Sequence, residues 1–312
     1  MIGLVVAVPA AVAAAGCFGT AGVLQHQATH ETRLRRPLEP GLLADLIRLR
    51  SFRVSIVLGA LGFAFQVVAL RYGPLILVQP VLVTGVLFYL LVASALHHTR
   101  PDRELMLASL VVLGGLSAFL VVARPSGGAD TFTGLAALPL GVALVAVVLA
   151  CAFAATWIRD ELRSLPLAVA TAVCYGVTAG LVRSLTSQSF DTTLFAHWEL
   201  YAAAVVGPAG FLLNQNAYQS GHVGSLALAI ITVGDPLVAI GVGITWLGET
   251  LQSGPGPVVG QVLALGVLAF GVVLLARRAR AVAERLQEAG VLPAEFGRTS
   301  DETRSGLGMT GR

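Results

Sequence analysis

The chain contains no lysine; all 20 of its basic residues are arginine. Charge of either sign is scarce at 12%, aromatics reach only 7%, and cysteine occurs three times in 312 residues. Each shortage closes off a class. Soluble domains carry roughly 25% charged residues, so 12% charge beside 56% hydrophobic residues describes an integral membrane protein. Cys17, Cys151 and Cys174 lie in apolar runs at spacings that fit neither a metal site nor a disulfide framework. No H-E-x-x-H or P-loop occurs, and no nucleophile has a sequence-evident base, so the reading is not an enzyme and has no cofactor. The net charge of +3 sits mostly in loops and speaks to membrane orientation, not to nucleic acid. A secretory leader needs a positive n-region. Met1-Ile2-Gly3 supplies no side-chain charge, so the run 2–24 reads as a first membrane helix, although Ala14-Ala15-Gly16-Cys17 resembles a lipoprotein cleavage site.

What is present is length of apolar run. About 20 apolar residues cross a bilayer, and runs of that order fall at 2–24, 54–70, 74–96, 104–123, 133–156, 165–183, 193–213, 222–247 and 257–276. Nine crossings are expected. Arginine then orients them: the segments 25–53, 97–103, 157–164 and 277–312 hold nearly all of it, whereas the alternate side holds Arg71, Arg124 and Arg183. The N-terminus is therefore expected outside and the C-terminus in the cytoplasm, the membrane being the inner one. Within the first loop, Gly41 to Arg50 places Leu42, Leu43, Leu46, Ile47 and Leu49 opposite Asp45 and Arg48, the pattern of an interfacial amphipathic helix. A solvated linker is the alternative. Arg277 to Gly290 continues as a charged helix, and Val291 to Arg312 has the composition of a disordered end.

The two halves of the chain repeat one another. Pro9 to Leu24 parallels Pro166 to Leu181 at an offset of 157, with Pro, Cys, an aromatic residue and Gly in register. Gly62-Phe63, Ala69 and Gly73 match Gly210-Phe211, Ala217 and Gly221 at an offset of 148, which sets Gln66 opposite Asn214. The next helices each carry an interior proline, Pro80 and Pro236, at different depths. Gly115 and Ala118-Phe119 then match Gly266 and Ala269-Phe270. The expected fold is all-α: two four-helix repeats, 1–124 (with a cytoplasmic loop and amphipathic helix at 28–53) and 158–276, joined by a connector span in 125–157 and followed by the tail 277–312. One odd helix between the copies inverts the second, the arrangement common in secondary transporters, with the cargo site at the repeat interface.

These residues resemble the drug/metabolite transporter (EamA-like) superfamily. The run Gln66 to Pro74 with Val78-Gln79-Pro80 is similar to that family's turn between its third and fourth helices, and Asn214 to Pro236 with Gly248-Glu249 to the corresponding turn, proline and closing acidic residue. The likeness covers about 1–276. The family's usual ten spans become nine here because the basic loop stands in place of the second, as in the NIPA-like branch, so the resemblance implies a transporter and, through that branch, magnesium as one cargo.

The candidate pathway centres on Asp235, which lies mid-span at about 1.5 Å per residue and is followed by Pro236, which denies the helix one hydrogen bond. An ionisable group at that depth costs several kcal/mol unless it finds water or a partner. Asp235 thus reads as a proton or cation site; an aspartate that only shapes the kink is the plainer reading. Glu199, with His197, Trp198 and Tyr201, reads either as a mouth residue paired with His197 or Arg183, or as part of an interfacial aromatic belt. Asn214, Gln215 and Asn216, with Gln66, Gln79 and Gln25 as looser counterparts, suit a polar cavity or serve as helix-to-helix glue. His222 opens the eighth span and reads as interfacial. Asp235 and Glu199 are the only metal candidates, since Mg²⁺ keeps its waters and needs one or two carboxylates. The expected partners are the lipid bilayer and a small solute or ion, with a homodimer open and Mg²⁺ or a proton as the transported or coupling ion. The alternatives are a divalent-cation transporter and a membrane scaffold that moves nothing.

Overall fold

The computed structural model describes residues 2–31, 46–96, 103–126, 138–158, 160–188, 192–218 and 224–288. Among them are ten α-helices and no strand: α1 (Ile2–Glu31), α2 (Arg50–Tyr72), α3 (Leu75–Leu82), α4 (Gly85–Leu96), α5 (Arg103–Ala123), α6 (Leu138–Trp157), α7 (Ser164–Ser187), α8 (Trp198–Tyr218), α9 (Gly224–Thr245) and α10 (Pro255–Glu288). Helices are what a chain this apolar must form, because inside a bilayer each backbone N–H and C=O has to find its partner within the protein. Six segments are long and apolar enough to cross: α1, α2, the α3–α4 pair, α6, α7 and the first part of α10. Leu107–Ala123 and Ile230–Thr245 are shorter apolar stretches of the same kind. The protein is an all-α membrane protein. Its surface agrees: Val142, Val145, Leu149 and Phe153 on α6 are all more than half exposed, an apolar face that suits lipid rather than water.

Two elements differ from the sequence expectation. The first helix runs on to Glu31, because neither Gly nor Pro interrupts residues 24–36 and Ala28 packs into a buried cluster with Leu46 and Phe52. The third expected span is broken in two. Pro80 takes one donor out of the ladder, and around Val83 and Thr84 the bonds tighten to a three-residue spacing before Gly85 restarts the helix. The fifth expected span is described from Leu138 on, its first residues lying outside the described residues. The expected amphipathic helix falls largely outside the described residues, as does the distal tail; α10 continues to Glu288 as anticipated.

Two long helices organise the packing. α1 lies against α2 and α4, and α7 lies against α8 and α9; α5 pairs with α10, and α6 touches α7 from the edge with only Ala155 buried. Lipid tails are as apolar as leucine, so helices associate through close fit and small residues. A Cβ on Gly19 of α1 would meet the Gly85 carbonyl oxygen and come within 2.8 Å of the Tyr89 nitrogen; one on Gly176 of α7 would lie 2.8 Å from the Asp235 carbonyl oxygen. Gly19→Ala is therefore expected to destabilise by about 1–3 kcal/mol through overpacking against backbone, whereas Gly114→Ala, with nothing within 4 Å, should be neutral or slightly stabilising. Thermal unfolding of both variants in detergent checks the contrast.

Candidate functional site

The most completely built polar site lies where α9 ends. Gly248 takes a left-handed turn (φ +61°), and the Glu249 N–H bonds back to the Gly243 carbonyl at 2.9 Å, so the chain folds over the helix end and sends the Glu249 side chain inward. Glu249 is 2% exposed. Its Oε1 accepts the Leu75 N–H at 2.6 Å and its Oε2 the Ile76 N–H at 2.9 Å. These are the first two donors of α3, whose N-cap, Pro74, has no side-chain cap to offer. The next two, Leu77 and Val78, bond the Pro74 carbonyl at 3.1 Å each, which completes the first turn's account. A carboxylate at a helix N-terminus also meets the positive end of the dipole.

Arg183 of α7 stands 3.7 Å from Glu249 Oε1 and donates from Nη1 to the Leu70 carbonyl at 2.8 Å. Arg71 of α2 donates in turn to the Thr186 carbonyl of α7 at 2.9 Å. Burial holds the Glu249 carboxyl above the usual carboxylate range, although the two N–H donors and Arg183 act the other way. Gly243 makes room, since a Cβ there would lie 2.9 Å from Oε2. The arginine considered as a partner for Glu199 thus pairs with Glu249. The sequence marks Glu249 only as a Gly-Glu pair after an apolar run; nothing local in it names Leu75 and Ile76.

Glu199, 7% exposed, lies at the start of α8 with Ser184 Oγ 3.4 Å from its Oε1 and His197 Nδ1 3.9 Å from its Oε2. Trp198 and Tyr201 beside it are both 58% exposed, as interfacial aromatics are. Asp235 sits elsewhere. Its backbone packs on Gly176, eight residues before Ser184 on α7, about 12 Å along the axis at 1.5 Å per residue. The two carboxylates are therefore not gathered into one metal site, and no cluster of three or more His, Cys, Asp or Glu forms among the described residues.

Asp235 is half-buried as a residue, with its Oδ1 enclosed and without a hydrogen-bond partner. Gln79 is 1% exposed and both its amide atoms are without partners. Each residue immediately precedes a proline, and those prolines, Pro80 of α3 and Pro236 of α9, share the wall of one cavity of about 210 Å³ completed by Val233 and by Leu265 and Gly266 of α10. Neither the Gln79 nor the Asp235 side chain is on that wall, and the other amides lie elsewhere. Gln215 donates from Nε2 to Gln25 Oε1 at 3.1 Å, joining α8 to α1, and Asn216 bonds the Leu212 carbonyl one turn back. Asn214 is buried with its Oδ1 unpartnered, and Gln66 is half-buried on α2. His222 lies outside the described residues. Buried polar groups normally have partners; the enclosed oxygens of Asp235, Gln79, Asn214, Gln215 and Glu199 (Oε2) accept no hydrogen bond from within the described residues.

No family model matches the chain, and no solved structure matches it. It is similar to an uncharacterized protein of Corynebacterium glutamicum, at 25% identity over 256 residues, spanning 80% of this chain and 88% of that one.

Removing the Glu249 carboxylate leaves Arg183 and two backbone donors buried without their acceptor. Glu249→Ala is expected to cost roughly 3–5 kcal/mol, the range for breaking a buried pair, and Glu249→Gln less, since one amide oxygen still accepts. Chemical unfolding in detergent micelles measures both.

Proposed function

We propose that this chain is a secondary transporter of the drug/metabolite type, moving a small solute or cation across the cytoplasmic membrane by alternating access. The observation that carries the reading is the meeting of the interior prolines of the two sequence halves: Pro80 and Pro236 line one apolar cleft, and the residue before each, Gln79 and Asp235, has an enclosed side-chain oxygen without a hydrogen-bond partner, off the cleft wall. Repeat-built transporters hold their cargo at the interface of the halves, where interrupted helices leave polar groups to be satisfied.

The repeat reading, nine crossings as two inverted quartets about α6, draws support from contacts that recur at the sequence offsets. A Cβ on Gly62 would meet Phe18 and Cys17, and one on Gly210 would meet Cys174 and Tyr175. These are the same positions of each copy. Gly19 against the α4 backbone and Gly176 against the α9 backbone form a second such pair.

With the N-terminus outside, as the arginine distribution favours, the Glu249 end is the outer one. There Glu249 and Arg71 each join one half of the chain to the other, and Arg183 binds both Glu249 and α2. In this reading those bonds seal the outer mouth. Asp235 is the coupling or cation-binding group and Gln79 a cargo contact. Their release and renewal across the cycle is the alternating step.

Protein reconstituted in liposomes and screened against metal ions, amino acids and organic cations should transport at least one of them. Asp235→Asn should reduce that flux to background with normal membrane insertion. Wild-type flux in Asp235→Asn removes Asp235 from the mechanism, and no flux of any cargo by the native protein sinks the transporter reading.

A further inference from the structure

The cavity at Pro80 and Pro236 has a property that the transport reading does not use. No residue on its wall carries a side-chain donor or acceptor: beyond the two prolines it is lined by valine, leucine, glycine and alanine. At about 210 Å³ it exceeds the apolar cavity of about 150 Å³ that stays dry and takes up benzene. Water needs two to four polar partners, and no side chain on this wall supplies one. A void would forfeit the dispersion contacts of every atom lining it.

The cavity also reaches the lipid-facing surface. Leu237 on its α9 wall is 47% exposed, and Gly266 on its α10 wall is exposed with no atom within 4 Å of a Cβ built there. The surrounding surface of α10 is apolar too, Val262 being 64% and Phe270 60% exposed. What lies against that surface in a membrane protein is hydrocarbon. Transfer of a chain from the bilayer into an apolar cleft carries no desolvation cost, because the tails and the wall are equally apolar, and the contacts the chain restores offset the cost of ordering it.

We infer that this cleft between α3, α9 and α10 is a binding site for one hydrocarbon chain of a membrane lipid, entering laterally past Leu237 and Gly266 and resting on both prolines. The site does not depend on whether the protein transports anything. It places a lipid chain between the two helices whose ladders the prolines weaken.

The test uses the full chain in nanodiscs containing phosphatidylcholine with a photoactivatable diazirine at mid-chain, with crosslinked peptides mapped by mass spectrometry. Crosslinks to 233–237 and 265–269 are expected several-fold above those to Val142, Val145 and Leu149 on the open face of α6. Gly266→Leu, which fills the cleft from a position with free space around it, should bring them down to the α6 level and leave the α6 crosslinks unchanged. Ala269→Leu, on the same wall, should do likewise and serves if the first variant fails to insert. Equal labelling of the cleft and α6 in the native protein, or labelling of the cleft that neither substitution lowers, overturns the site.

Discussion

Everything in this molecule depends on helices coming close without a hydrophobic force to push them together. In lipid the gain must come from fit, and fit requires that side chains be absent where backbones meet. Gly19, Gly115, Gly176 and Gly180 occupy such places: a Cβ on Gly115 would lie 2.6 Å from the Leu268 nitrogen, and one on Gly180 would run into Val242. The heavy use of glycine, 35 residues in all, is in part the price of that closeness. It brings α7 against α9 and α5 against α10.

Against that background the polar groups divide by how well they are satisfied. The Glu249 carboxylate takes up the first two donors of α3 and pairs with Arg183, while Arg183 and Arg71 bond backbone carbonyls of α2 and α7, and these hydrogen bonds tie together segments 113 to 174 residues apart in sequence. Asp235 and Gln79 are left with unpartnered atoms. A fully paired buried network rigidifies, whereas unpaired groups in a low dielectric are unfavourable until something reaches them. The contrast between a sealed end and an unsatisfied middle is the physical core of the transport proposal.

The cleft beside the prolines adds a third kind of environment, neither polar nor packed. Pro80 and Pro236 each remove a backbone donor and so weaken their helices locally, and the same positions leave the space that a lipid chain would fill.

How much of this the sequence carried follows from the range of each interaction. Helix content and membrane residence follow from apolar run length and the lack of charge, which act through each segment separately, so those were legible. The break at Val83 was half-legible: Pro80 stood in the sequence as an interior proline, but the shift to three-residue bonds after it shows only in the structure. The partners of Arg183 and Glu249 were not legible, because the capped helix begins at Leu75, 174 residues away along the chain. The separation of Asp235 from Glu199 was equally hidden, since it is set by where each lands along α7. Local composition determined what must be buried in lipid and what must be helical; only the packed structure decided which buried polar groups meet, because that choice is made by contacts between segments whose order in sequence says nothing of their distance in space.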